Sequence, residues 1–183
     1  MKKVLFLYVL SLFIIGCGNS EKELKGSSIE NTALNEMLVL ETEINKTDIT
    51  NGNMNLLKQR GKELYNKATV YINNSVNNSD LERVYELAAI GAETAGRYND
   101  AINYFYQAQR KYPDSKKATE YLFNRARILD NILIKKNAAR LAYEELMELY
   151  PEDSLSQAIK LYLESDLLEK SDQEIIEFLE SKN

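Results

Sequence analysis

From Thr32 onward apolar positions recur at three- and four-residue steps, the spacing that lines one face of a 3.6-residue helix. Leu34, Met37, Leu38 and Ile44 mark a first helix over 32–46. Leu57, Gly61, Leu64, Ala68, Tyr71 and Ile72 mark a second, which the Asn-rich run 73–78 ends. Between the two, Thr50, Asn51, Gly52 and Asn53 form a turn cluster. Ser79 and Glu82 have the S-x-x-E spacing of a capping box, so a third helix is predicted from there to Ala95. Gly96 can take the left-handed dihedrals that end it, and a fourth follows over 99–111. Pro113 and Pro151 interrupt the pattern, because proline inside a helix loses a hydrogen bond and clashes with the preceding turn. Two helices fit between them, over 116–130 and 136–149. Two more fit beyond, over 155–169 and 172–182, with Ser171 as N-cap of the last. No run alternates apolar and polar residues with β-branched enrichment, so the prediction is an all-α fold of about eight helices.

The first twenty residues follow a different pattern. Lys2 and Lys3 precede the run 4–15, apolar except for Ser11, and then come Gly16 and Cys17. A charged start and a short apolar stretch are the marks of an export signal. The stretch falls short of the roughly 20 apolar residues a spanning helix needs. Ile14-Ile15-Gly16-Cys17 resembles the lipobox of bacterial lipoproteins. The resemblance implies cleavage after Gly16 and thioether lipidation of Cys17, with several acyl chains on the mature protein. At ~0.8 kcal/mol per buried CH₂, one chain holds marginally and several hold durably. The alternative, an odd thiol in a core helix, is opposed by the position, flanks and uniqueness of Cys17. The expected organisation is a signal peptide over 1–16, a lipidated Cys17 with a flexible polar tether over 17–30, and a helical domain over 31–183. The tether contains Gly26-Ser27-Ser28 and would reach about 20 Å r.m.s..

Composition narrows the chemistry. At 44% apolar and 28% charged residues the chain is globular in character. The absence of His removes imidazole nucleophile pairs, imidazole metal ligands and imidazole general bases. A single Cys supplies neither an internal disulfide nor the paired thiolates of a zinc site. No phosphate loop, nucleophile elbow, CxxC or HExxH occurs, so no catalytic residue, metal or cofactor is expected. The adjacent acids Glu144 and Glu145 would point about 100° apart on a helix and read as a solvated face. The chain carries 23 basic and 28 acidic residues; loss of Lys2 and Lys3 leaves a balance of −7, which argues against a nucleic-acid partner.

A small residue, an aromatic four positions on and Ala or Leu three further recur three times. The sets are Gly61-Tyr65-Ala68, Ala101-Phe105-Ala108 and Ala139-Tyr143-Leu146, at intervals of 40 and 38 residues. Pro113 and Pro151 are also 38 apart. This periodicity resembles the tetratricopeptide repeat. Residues 82–113 match it best, with Tyr85 at the large aromatic position, Ala88, Ala89 and Ala92 following, and Gly96-Arg97-Tyr98 at the hairpin turn. Ala101, Phe105, Ala108 and Pro113 complete that repeat. Departures are Tyr85 for the usual Trp, Ala88-Ala89 for Leu-Gly, and a next repeat about four residues longer than the family's 34. The phrases around Tyr112-Pro113 and Tyr150-Pro151 are similar to repeat ends in envelope proteins that assist outer-membrane assembly or associate with the Tol-Pal system.

The resemblance implies a right-handed superhelical array of antiparallel helix hairpins, with small residues allowing close helix approach and aromatics filling the gaps between hairpins. It also implies a concave groove, faced here by Arg83, Glu86, Ile90, Glu93 and Thr94, for a protein or peptide of the cell envelope. The expected role is an adaptor or assembly factor, lipid-anchored at the outer membrane on its periplasmic face or surface. Two alternatives stay open: an envelope enzyme or small-ligand binder using carboxylates in a helical cavity, and a self-associating structural spacer. The partner, the oligomeric state and the nature of 155–183, repeat or cap, are left open by the sequence.

Overall fold

The computed structural model describes residues 20–47, 53–75 and 79–165, with the backbone alone for 20–30, together with 168, 170, 173, 174 and 177. Among the described residues the fold is all-helical, with no strand. The helices are α1 (Ser20–Lys46), α2 (Met54–Asn74), α3 (Leu81–Thr94), α4 (Tyr98–Lys111), α5 (Ala118–Arg127), α6 (Lys136–Leu149) and α7 (Ser154–Glu164). That makes seven rather than about eight. Only residues 173, 174 and 177 of the helix expected over 172–182 are described, and these are helical. The expected signal peptide, Cys17 and Ser171 lie outside the described residues. Residues 20–30, expected as an irregular tether, have helical backbone. Glu21 to Lys25 are good helix formers and outweigh Gly26-Ser27-Ser28.

The helix ends show which local signals hold. Gly96 has φ 79°; Arg97 N–H donates to Ala92 O at 2.8 Å and Gly96 N–H to Glu93 O at 2.9 Å, the paired bonds of a Schellman end. The capping box at Ser79 and Glu82 does not form. Helix α3 starts at Leu81 behind Asp80 without a side-chain cap. The Glu82 carboxylate instead accepts from the hydroxyls of Ser115 and of Tyr121, the latter at 2.9 Å. The single helix expected over 116–130 is α5 followed by a π-helical turn, Ile128–Ile132. Ile134, exposed and at φ 53°, closes that turn in the left-handed region.

Two backbone features recur at a 38-residue interval. Ile134 stands 38 residues beyond Gly96. Tyr112 (φ −131°, ψ 59°) and Tyr150 (φ −133°, ψ 61°) end α4 and α6 with nearly identical dihedrals, each just before a proline. The Tyr150 hydroxyl donates to Pro113 O at 2.8 Å, tying the end of α6 to the segment that follows α4.

Each helix packs chiefly on its neighbours in the chain. The core correspondingly divides into three clusters. Met37, Leu40 and Ile44 of α1 meet Leu64, Ala68 and Tyr71 of α2 and Val84, Leu87 and Ala88 of α3. Tyr85, Ala89 and Ala92, on another side of α3, meet Ala101, Phe105 and Ala108 of α4, Tyr121 and Ile128. Leu122 and Ala126 of α5 join Leu129, the α6 residues Ala139, Ala142, Tyr143 and Leu146, Ile159 of α7 and Leu168. Helices α3 and α5 thus carry apolar residues on two sides and must be sandwiched. Leu64, Leu87, Leu122 and Leu146 are completely buried, each worth roughly 1.5–3 kcal/mol on leaving water.

Of the expected repeat-packing positions, Gly61, Ala68, Tyr85, Ala89, Ala101, Phe105, Ala108, Ala139, Tyr143 and Leu146 are buried. Tyr65 is half-buried, its ring edge-on to Tyr104 at 6.0 Å, and Pro113 and Pro151 are exposed. The backbones of α2 and α3 come into contact at Gly61 and Gly91.

Candidate functional site

Ion pairs connect α1, α3 and α5 along one side. Arg83 of α3 pairs with Glu41 of α1 and, at 2.6 Å, with Glu86 of its own helix. Both Glu86 oxygens accept from Lys117 Nζ at 2.9 Å, immediately before α5. Both Glu93 oxygens accept from Arg127 Nη2, at 2.7 and 2.9 Å, at the end of α5. Burial works against the Arg83 charge, yet the hydrogen bonds to Glu41 and Glu86 outweigh it and hold the guanidinium above its ordinary pKa. Burial, then the bond to Glu82, pushes the Tyr121 phenol well above the usual tyrosine range.

The five residues assigned to a groove are all half-buried. Arg83, Glu86 and Glu93 are engaged in these pairs. Ile90 packs on the first core cluster, and Thr94 lies over Gly61 of α2. The face therefore offers a partner a charge-balanced, cross-braced stripe rather than free carboxylates. Partly exposed pairs of this kind each contribute about 0.2–1 kcal/mol, enough in a series to fix the spacing of alternate helices.

Arg127 also lines an open pocket of about 440 Å³ bordered by α5, its π-helical turn, α6 and α7. Phe123, Tyr143 and Tyr162 form an aromatic wall, with Tyr143 and Tyr162 edge to face at 5.9 Å. Leu155, Ala158 and Ile159 form an aliphatic one. On the floor Asp130, only 1% exposed, accepts from Lys136 Nζ and from the Tyr162 hydroxyl, both at 2.8 Å. A buried carboxylate is tolerable only when paired in this way. Burial, then Asp130, pushes the Tyr143 phenol well above its ordinary pKa.

A second cavity of about 410 Å³ lies between α1 and α2, lined by Ala33, Val70 and Tyr71, with Glu36 and Lys67 paired at 2.8 Å beside it. It contains no buried charge. Among the described residues no three His, Cys, Asp or Glu side chains are grouped as metal ligands, and no helix is long and apolar enough to cross a membrane.

No protein-family model, curated protein or solved structure matches the chain.

Of the residues singled out for repeat packing, ten are buried, Tyr65 is half-buried, and Pro113 and Pro151 are exposed. Sequence reasoning missed the group formed by Asp130, Lys136 and Tyr162. Its signal is an acid, followed by one Asn, set within the apolar stretch Ile128-Leu129-Asp130-Asn131-Ile132-Leu133-Ile134. An acid so placed is either a helix-end residue or a buried one seeking cations and hydroxyls.

Proposed function

We propose that the chain is a non-enzymatic lipoprotein of a bacterial envelope. In this reading its helices stack as a right-handed array of tetratricopeptide-like hairpins that presents a binding surface to another protein or peptide. The observation that carries the reading is the return of the same backbone settings at a 38-residue interval, a positive φ at Gly96 and Ile134 and matching dihedrals at Tyr112 and Tyr150. The three-part core supports it further, since each hairpin buries its apolar sides only with a neighbour on hand. The braced stripe on α1, α3 and α5 is a surface shaped by several elements at once, which suits an adaptor or assembly factor. Lipidation at Cys17 would hold the domain at the outer membrane, on its periplasmic face or at the surface.

In-cell crosslinking followed by mass spectrometry tests the adaptor role. The expected result is capture of a different envelope protein; recovery of the chain alone would make it a self-associating spacer. Cys17→Ser tests the anchor separately, and should move the protein from the membrane pellet to the soluble fraction. A variant that still sediments with membranes would refute lipid anchoring.

A further inference from the structure

We propose that the pocket between α5, α6 and α7 binds a small uncharged molecule with an apolar body and one hydrogen-bond donor, such as an alkylated phenol. Its volume of about 440 Å³ lies within the roughly 300–1,000 Å³ of ligand pockets, and it has their make-up, apolar walls around a few convergent polar groups. The floor is held in an unusual way. Asp130 sits on the π-helical turn Ile128–Ile132, a widened turn that recurs at functional sites because it re-aims a side chain out of helical register.

Charge decides the ligand class. Asp130 is already matched by Lys136, and Arg127 by both oxygens of Glu93. An entering cation would meet an acid whose charge is spent. An entering anion would meet Asp130 itself, with Arg127 occupied. Either would leave a charge uncompensated among aromatic and aliphatic walls, which is costly. A neutral donor does have a place. A carboxylate offers about four lone-pair sites; Lys136, Tyr162 and the neighbouring Tyr143 phenol take up to three, which leaves one on Asp130. Phe123, Tyr143 and Tyr162 then receive an apolar body by edge and face contacts. The site shares only Arg127 with the ion-paired stripe, so it stands or falls independently of the adaptor reading.

Methyl NMR of the purified full chain tests this, following Leu155, Ala158 and Ile159 during titration with four congeners. These are 4-propylphenol, propylbenzene (no donor), tyramine (a cation) and 4-hydroxyphenylacetate (an anion). The expected result is saturable shifts with 4-propylphenol, and a Kd at least tenfold lower than for each of the other three. Ala158→Trp, at an exposed position on α7, should block the mouth and abolish the Leu155 and Ile159 shifts with the melting temperature retained. Asn131→Trp, exposed on the opposite rim, provides a second block should the first variant be unstable. Absence of saturable shifts, equal binding of any comparator, or shifts that survive a folded blocking variant would overturn the proposal. So would a blocked Gly-Tyr-Gly peptide that displaces 4-propylphenol at equal concentration, since the occupant would then be a peptide.

Discussion

Gly91→Ala examines the backbone contact between α2 and α3. A Cβ at Gly91 would stand 2.5 Å from Tyr65 N, 2.9 Å from Gly61 O and 3.0 Å from Tyr65 Cα, all of them backbone atoms of α2. Ordinary Cβ contacts begin at 3.4 Å, so α2 and α3 must part locally by about 1 Å. A gap of that size forfeits roughly a quarter to a half of each dispersion contact across it. The side chains affected include Leu64, Ala68, Val84, Leu87 and Ala88, all completely buried. Overpacking costs about 1–3 kcal/mol, and a rigid backbone obstacle points to the upper end. Alanine's better helix propensity returns about 1 kcal/mol. The net loss of about 2 kcal/mol corresponds to a fall in melting temperature of about 4–8 °C for a chain of this size. Thermal unfolding followed by far-UV circular dichroism measures it. Gly96→Ala is the control that separates crowding from conformation: its Cβ would meet nothing within 4 Å, so only its φ of 79° would be strained. A Gly91→Ala protein that melts at or above the parent temperature would show that propensity wins and that the two backbones do not touch.

Ile134→Gly should raise the melting temperature by about 2–4 °C, because a β-branched residue at φ 53° carries roughly 1–2 kcal/mol of strain, Ile134 is exposed, and glycine's entropy takes back about 0.5–1 kcal/mol; an unchanged or lower value would mean the turn is not left-handed there. The raised phenols of Tyr121 and Tyr143 make stability fall in alkali. Below about pH 10 both folded and unfolded tyrosines are protonated and the stabilisation is complete. Above it the unfolded chain releases protons that the folded one retains, so stability declines as pH rises towards the folded values. Urea midpoints measured between pH 9 and 11.5 should therefore drop, and Tyr143→Phe should lessen the slope above pH 10 by about 1.4 kcal/mol per pH unit; an identical slope would refute the assignment.

The helices were legible because their signals are local. A 3.6-residue apolar period, prolines after Tyr112 and Tyr150, and a glycine at 96 each act within one turn of the chain, and the structure places helix ends at those positions. What escaped has non-local causes. Glu82 has capping spacing to Ser79, but its carboxylate is drawn to Ser115 and Tyr121, 33 and 39 residues away. The charged residues of the α3 face read as lining a groove, yet Arg83 finds Glu41 and Glu93 finds Arg127 at separations of 42 and 34 residues. The π-helical turn leaves no trace in a stretch where nearly every residue is apolar, since a shift of period shows only where apolar and polar positions contrast. Asp130 therefore reads as the last residue of a helix and proves to be the floor of a pocket.

Division of the core into three clusters that share α3 and α5 has a mechanical consequence. Force applied at one end travels through a series of short-range attachments, such as the Arg83–Glu41 pair, whose partners are 42 residues apart. Elements in series yield one after another, so such a chain should lengthen by successive small releases and re-form each link quickly once slack returns, as expected where sequence-near contacts dominate. It would behave as a damper rather than a latch.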